Sequence, residues 1–386
     1  MSIFVYTASE LYNWLIAKEN MILLDVRNDK DFARFQVEAP YPFEMINVSY
    51  YDFMEIEDEC IARIPRDKPV RVICAKEGSA KYVAEILHKN GYDDIGYLQD
   101  GIKSWGNMLV PMLLNSGEKY EMYQFIRPGK ASCSYGLVVD GEMRLFDPSR
   151  NTDFYLNFAK EKECKIVQTF ETHLQADYIA GSRMLMEATG AEFMANENDF
   201  SGARFDYTKL KDNQVIRCGT AEIEIRVIFT PGHTPGSTSY LVDNRFLITG
   251  DAVFLQSVGR PDLGGKVDEW SNVLFATLQD IQKMDKALLI LPGHYIDWHE
   301  ANDKLCFCAP LGTAIEHNKN IYAIDNKADF LAFIKANMRE QPEEYTTIRL
   351  INANIEQVEN DKAEELDLGK NECAASAYAA QQAENK

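Results

Sequence analysis

Apolar positions in the first hundred residues fall into short unbroken runs separated by amphipathic stretches. MILLDVR (21–27) and VRVICA (70–75) read as buried strands, GSAKYVAEILHKNGY (78–92) as a helix ended by Gly91, and IGYLQ (95–99) as a third strand. DGIKSWGN (100–107) then opens a helix at a glycine turn and carries Trp105. Strands of this kind alternating with helices predict a compact parallel sheet with covering helices. The pattern changes after NMLVPMLLNSGEKY (107–120), which has a proline, a glycine and few charges and is expected to be a connector. Beyond it come a hairpin signal, VVDGEMRLF, and the strand candidates ASCSYGLVVD, EMRLFDP, KIVQTFET, AEIEIRVIFT and STSYLVDNRFLITGD. Helical stretches, DYIAGSRMLMEATG and WSNVLFATLQDIQKM among them, separate these strands, so the pattern predicts a large α/β domain.

The expected organisation is a domain over residues 1–110, a linker over 111–120, a second domain over 121–350 and a C-terminal extension over 351–386. A length of 386 residues also exceeds what one core usually supports. DFLAFIKANMRE reads as a helix, whereas the alanine-rich end, NECAASAYAAQQAENK, has too few large apolar groups to distinguish a docked helix from a tail.

Apolar residues make up 46 % and charged residues 26 %, with no apolar run near the ~20 residues that a membrane helix needs. A net charge of −20 argues against a nucleic-acid partner and against anionic membranes, which leaves small molecules. The opening MSIFVYTASELYNW lacks a basic segment ahead of an apolar one, so a cytoplasmic location is expected. Eight cysteines in a chain this long are expected to be thiols, and the Cys306–Cys308 pair reads as two small buried side chains. Oligomers are compatible with the sequence and not specified by it.

Two places carry chemistry. Cys74 ends a strand, and the loop AKEGS leads into a helix whose N-terminus, together with backbone N–H groups and Lys76, would favour a thiolate; the plainer reading is an inert core cysteine. His173 and Asp251 follow apolar strands, and His233 sits between two Pro-Gly punctuators in TPGHTPGS. Each alone suits polar duty in a turn. Together, two imidazoles and a carboxylate make the facial set of oxygen-activating non-haem iron, with open positions on the metal. Arg260 and Asp262 read as a structural ion pair, His88 as a helix-surface residue, and no spacing singles out His299 or His317.

LLDVRNDKDF, the cysteine loop and LQDGIKSWGN resemble a single rhodanese domain. The resemblance implies that Cys74 accepts sulfane sulfur, with Lys76, Gly78 and Ser79 shaping its loop. Ser79 stands where many members have an arginine, and Glu77 would repel a dianion, so a thiol-borne persulfide is expected rather than free thiosulfate. THLQADYIAG, TPGHTPGS and ITGDAVF resemble the metallo-β-lactamase superfamily, the persulfide dioxygenases in particular, and GDAVFLQSVGRPDLGG and LPGHYIDWH extend the likeness to about residue 300. The implied fold class is therefore α/β followed by α+β: a rhodanese-like parallel-sheet domain, then an αββα metallo-β-lactamase sandwich.

The superfamily pattern H-x-H-x-D-H reads here His173, Leu174, Gln175, Ala176, Asp177, Tyr178. Missing imidazoles at Gln175 and Tyr178 disfavour a two-zinc hydrolase resembling glyoxalase II. Persulfide dioxygenases use one iron, at positions that match His173, His233 and Asp251. The resemblance thus implies one Fe(II) per chain, with zinc as the alternative. It leaves Gln175, Asp177, Tyr178 and His294 around the cleft, Gln175 facing bound substrate or oxygen, Tyr178 as a phenolic donor, and His294 orienting substrate or protonating product. The implied reaction is O2-dependent oxidation of a low-molecular-weight thiol persulfide, resembling glutathione persulfide, to sulfite and thiol. Sulfur transfer at Cys74, from a sulfane-sulfur donor or onto sulfite, accompanies it. The competing readings are a mononuclear zinc thioester hydrolase and a non-catalytic persulfide sensor or sulfur carrier.

Overall fold

A computed structural model describes residues 3–116, 119–220 and 222–375. The chain divides into two units. One runs to Leu109 and includes Arg127–Lys130 and Leu368–Lys370; the other comprises Val110–Ile126, Ala131–Asp367 and the described residues from Asn371 on.

The first unit holds five parallel strands, β1 (Phe4–Tyr6), β2 (Ile22–Asp25), β3 (Glu44–Asn47), β4 (Val70–Ile73) and β5 (Ile95–Leu98), in the order β1-β5-β4-β2-β3. The central strands β2, β4 and β5 are buried at every position, which is why they read as unbroken apolar runs. Helix Glu77–Lys89 buries Ala80, Val83, Ala84, Ile86 and Leu87 and stops at Asn90, ahead of Gly91 at φ +86°. The edge strands β1 and β3 escape the sequence pattern because each spans three or four residues with mixed exposure. Gly101 has φ +70°, and a Cβ there would lie 2.6 Å from the Ala75 carbonyl oxygen and 2.8 Å from that of Cys74. Only glycine lets helix Ile102–Asn107 approach the cysteine loop, where the Ile102 N–H donates to the Cys74 carbonyl at 2.8 Å.

The second unit has two mixed sheets. The first contains β6 (Val110–Leu113), β7 (Glu121–Arg127), β8 (Ser132–Val139), β9 (Glu142–Phe146), β10 (Lys165–Phe170), β11 (Glu192–Ala195) and β12 (Thr208–Lys209), ordered from β12 to β6. The second runs β13 (Val215–Cys218), β14 (Ile223–Phe229), β15 (Thr238–Val242), β16 (Phe246–Gly250), β17 (Leu289–Pro292) and β18 (Ala309–Pro310), antiparallel except where β16 meets β17. The sheets pack face to face: Phe146 stacks on Phe170 at 4.8 Å, and both rings lie 5.3 Å from Tyr240 of the other sheet. Helix Thr152–Glu161 covers the outer face of the first sheet through Phe158, edge-on to Phe125, and helix Leu311–His317 lies along β17. Mixed sheets between outer helices are the layers expected of this domain.

Two segmental expectations need correction. The stretch expected as a linker over 111–120 opens inside β6, antiparallel to β7 with Val110 opposite Ile126; its Pro111 is tolerated because β6 is an edge strand. The expected boundary at 350 falls inside helix Glu344–Asn352, whose Tyr345, Ile348, Ile351 and Asn352 are buried. A further helix, Asn360–Asp367, follows, and residues 376–386 of the alanine-rich end lie outside the described residues. Gly101→Ala is expected to destabilise the first unit by about 2 kcal/mol or more. A lowered first transition in chemical denaturation of the whole chain, with metal uptake unchanged, is the result to look for.

Candidate metal centre and sulfur-transfer loop

Three strand ends and one turn converge in the second unit. His173 follows β10, Asp251 follows β16, His294 follows β17, and His233 lies in the turn between β14 and β15. Gly250 has φ +49°, and a side chain there would strike the Thr172 hydroxyl at 2.3 Å, so the glycine of ITGD lets the two strand ends close on each other. His173 Nε2 lies 3.8 Å and His233 Nε2 3.5 Å from Asp251 Oδ2, with the imidazole rings 4.9 Å apart and nearly perpendicular. Ligand atoms of the three residues all fall within 4.8 Å of one another.

The hydrogen bonds behind these side chains fix which atom faces inward. Thr172 Oγ1 donates to Asp147 Oδ2 at 2.9 Å, so it accepts from His173 Nδ1 at 2.9 Å and leaves the Nε2 lone pair free. His233 Nδ1 donates to the Arg260 carbonyl at 2.8 Å with the same outcome. His173 Nε2, His233 Nε2 and Asp251 Oδ2 are buried and have no hydrogen-bond partner. Polar atoms abandoned in this way cost free energy unless something binds them, and two imidazole nitrogens facing one carboxylate oxygen fit a divalent transition metal.

Charge follows the same logic. Burial pushes His173 down to about 3, against the pull of Asp251, and pushes His233 down as well, so both rings are neutral ligands at neutral pH. Burial alone would raise the Asp251 carboxyl, but His294, His173 and His233 hold it below the usual carboxylate range. Burial would lower His294, yet Asp177 and Asp251 on either side push it up to about 10.

The two substituted positions of the histidine motif turn to the protein frame. Gln175 Nε2 donates to Asp147 Oδ1 at 3.1 Å and the Tyr178 hydroxyl donates to the Asp147 carbonyl at 3.2 Å. Both side chains thus bond to Asp147, while Gln175 Oε1 is buried without a hydrogen-bond partner. His294 is not a free cleft residue either: its Nδ1 is 2.7 Å from Asp251 Oδ1 and its Nε2 2.8 Å from Asp177 Oδ2. Sequence reading missed Asp147 altogether; its only signal is an aspartate ending the strand EMRLF. Arg260 and Asp262 form the expected buried ion pair, 2.7 and 2.8 Å through Nε and Nη2. A cavity of about 620 Å³ opens beside His233, lined by Leu174, Gly232, Thr234, Lys266, Trp270 and Arg349 among others.

In the first unit, Cys74 lies where β4 ends, 3 % exposed, with its thiol 3.9 Å from the Val26 carbonyl. The loop backbone at Lys76 and Ala75 and the Ser79 hydroxyl do bond to the sulfur and favour the anion, but burial outweighs them and raises the thiol. The expected thiolate is corrected for that reason. Lys76 is exposed, Gly78 has open space where a Cβ would stand, and the Glu77 carboxylate accepts from the Asp100 N–H at 3.0 Å. Cys306 is buried and Cys308 partly so, and His88 sits near the end of its helix with Nδ1 3.2 Å from the Tyr92 carbonyl.

Residues 7–108 match the Rhodanese-like domain family and residues 128–294 the Metallo-beta-lactamase superfamily. The chain therefore joins a rhodanese-like domain to a domain of the metallo-β-lactamase superfamily. Persulfide dioxygenase ETHE1, mitochondrial, from Bos taurus is 29 % identical over 190 residues, 48 % of this chain and 71 % of its own length. Hydroxyacylglutathione hydrolase from Anaeromyxobacter dehalogenans is 30 % identical over 168 residues, 44 % of this chain and 63 % of its own length. Among solved structures, ETHE1 from Myxococcus xanthus superposes with a TM-score of 0.53 at 22 % identity, over 61 % of this chain and 98 % of its own. These structural likenesses concern the fold alone.

Thr172→Val is expected to weaken metal binding about 10- to 100-fold, because His173 loses the acceptor that fixes its tautomer. Competition against a chelator of known affinity measures it.

Proposed function

We propose that the second unit is a mononuclear non-haem iron dioxygenase acting on a low-molecular-weight thiol persulfide, and that Cys74 in the first unit carries sulfane sulfur. The reading rests above all on one observation: His173 Nε2, His233 Nε2 and Asp251 Oδ2 face one another without partners while Gln175 is tied to Asp147. A two-imidazole, one-carboxylate set suits ferrous iron, which when held there supplies redox chemistry with O2. The reaction balances as RSSH + O2 + H2O giving RSH, sulfite and two protons; the sulfane sulfur gives up the four electrons that O2 takes. His173, His233 and Asp251 would hold the ion away from bulk water, and the cavity beside them, lined by Lys266 and Arg349 as well as Asp199 and Glu269, offers charges of both signs to a zwitterionic carrier such as glutathione.

At Cys74 the thiol loses its proton as its sulfur attacks the sulfane sulfur of a donor persulfide; the bond to the carrier breaks, the carrier leaves as a thiolate that takes up that proton, and the new persulfide releases its own proton to solvent. Backbone N–H groups at Ala75 and Lys76 and the Ser79 hydroxyl hold the resulting anion. All eight cysteines are free thiols, which supports a reducing, cytoplasmic setting. No described helix is long and apolar enough to cross a membrane. Likeness to a hydroxyacylglutathione hydrolase favours a second reading, a zinc thioester hydrolase in which the metal lowers the pKa of a bound water.

Metal content of anaerobically purified protein, with O2 uptake and sulfite release on adding glutathione persulfide, tests the proposal. Iron at the His173, His233 and Asp251 site with persulfide-dependent O2 uptake is expected. Asp251→Ala is expected to remove tight iron binding and O2 uptake together. Cys74→Ser is expected to leave O2 uptake intact and to abolish sulfur transfer to sulfite or cyanide. Zinc with O2-independent thioester hydrolysis would overturn the dioxygenase, and persulfidation of Cys74 without turnover would leave only a sulfur carrier.

A further inference from the structure

Residues 371–375 lie outside the matched superfamily segment and form a strap antiparallel to the GRPD segment. Gly259 and Ala374 make an isolated bridge, the Arg260 N–H donates to the Cys373 carbonyl at 2.9 Å, and the Ala375 N–H donates to the Val258 carbonyl at 2.8 Å. Side chains add further pins. Arg260 Nη1 donates to the Glu372 carbonyl at 3.3 Å, Arg339 Nη2 donates to the Ala374 carbonyl at 2.9 Å, and the Tyr345 hydroxyl accepts from the Glu372 N–H at 2.8 Å.

The strap carries Cys373 to 1 % exposure, in a cluster with Ala176, Phe254, Trp270 and Tyr345. Its thiol lies against the Asp251 carboxylate and 3.9 Å from the Tyr345 hydroxyl. The centre beneath is shut, with His173, His233 and Asp251 each at most 2 % exposed. The cavity of about 620 Å³ reaches Leu174, Gly232 and Thr234, the sequence neighbours of His173 and His233, yet none of the three ligands is among its walls. Trp270 belongs to both places, lining the cavity and packing in the cluster that holds Cys373. A small molecule in the cavity therefore reaches the metal ligands only if something moves. Trp270 sits on helix Val267–Ile281, which is anchored by Leu274, Leu278 and Ile281, whereas the strap buries only Cys373 and Ala375 and is otherwise held by hydrogen bonds. The strap is the part that opens at least cost.

We infer that residues 371–375 are a lid on the metal centre: docked, the strap seats Cys373 against Asp251 and shuts the site; lifted, it opens His173, His233 and Asp251 to the cavity. The docked state is autoinhibitory, because the Cys373 thiol and an incoming small ligand contend for the space beside Asp251. Apparent affinity for such a ligand then scales with the fraction of chains whose lid is open. The inference goes beyond the proposed dioxygenase and requires only that a metal be held by His173, His233 and Asp251.

Iodoacetamide labelling of metal-free full-length protein, located by mass spectrometry, reads the lid directly. Cys373 is expected to react more slowly than the partly exposed Cys308 and faster than Cys133, which is buried in β8 and marks unfolding of the domain. Arg339→Ala combined with Tyr345→Phe removes two pins and is expected to speed labelling of Cys373 about 10-fold while leaving Cys133 unchanged. Asn371→Ala loosens the strap from within, since that side chain donates to the Ala131 carbonyl at 3.1 Å, and gives the same result should the double variant fold poorly. In cobalt-loaded protein, azide affinity read from the visible absorption is expected to rise by the same factor as the labelling rate. Labelling of Cys373 no faster than Cys133, or unmoved by the variants, would overturn the lid. Faster labelling with unchanged azide affinity would overturn its hold on the metal centre. Failure of cobalt to bind would count against the metal reading instead, and the labelling still decides whether the strap opens.

Discussion

Burial of the Asp251 carboxylate is the constraint on which the second unit depends. A carboxylate removed from water at the junction of two sheets is costly unless charge or hydrogen bonds meet both oxygens. One oxygen meets His294 Nδ1, and the other faces two imidazole nitrogens whose lone pairs point toward it. His173 and His233 are neutral in this setting and supply no positive charge of their own. Asp147 and Glu171, buried close by, respond to the same scarcity by rising, Asp147 to about 6. Asp177 and Asp251 share the single His294 between them. Such an excess of buried anion over buried cation is what a metal centre balances.

Asp147 organises the other side of the centre. Its carboxylate accepts from the Thr172 N–H, from the Thr172 hydroxyl and from Gln175, and its carbonyl accepts from Tyr178. Replacing the motif's second and last histidines by Gln175 and Tyr178 therefore does not leave gaps. The amide and the phenol become struts for the group that orients His173 through Thr172. Loss of ligands at one position has been converted into rigidity at another, which suits a centre that keeps one imidazole in one tautomer.

Much of this was legible in the residues. Unbroken apolar runs marked the central strands β2, β4 and β5, and strand-end placement marked His173, His233 and Asp251, because strands that share facing sheets bring their ends together. Edge strands β1, β3 and β6 were not legible: each is short, half-exposed or proline-bearing, and takes its conformation from a neighbour. Asp147 carried no signal, being one aspartate among many until Thr172, Gln175 and Tyr178 close around it.

Cys74 shows how the same physics serves a different end. Its loop offers the sulfur two backbone contacts and a hydroxyl, yet burial wins and the resting thiol keeps its proton. A persulfide is intrinsically more acidic than a thiol, and Lys76 and Gly78 of the same loop are exposed. The donors that fail to ionise the thiol would then act on the persulfide anion of the proposed transfer, and a loop of that kind would favour the loaded carrier over the empty one.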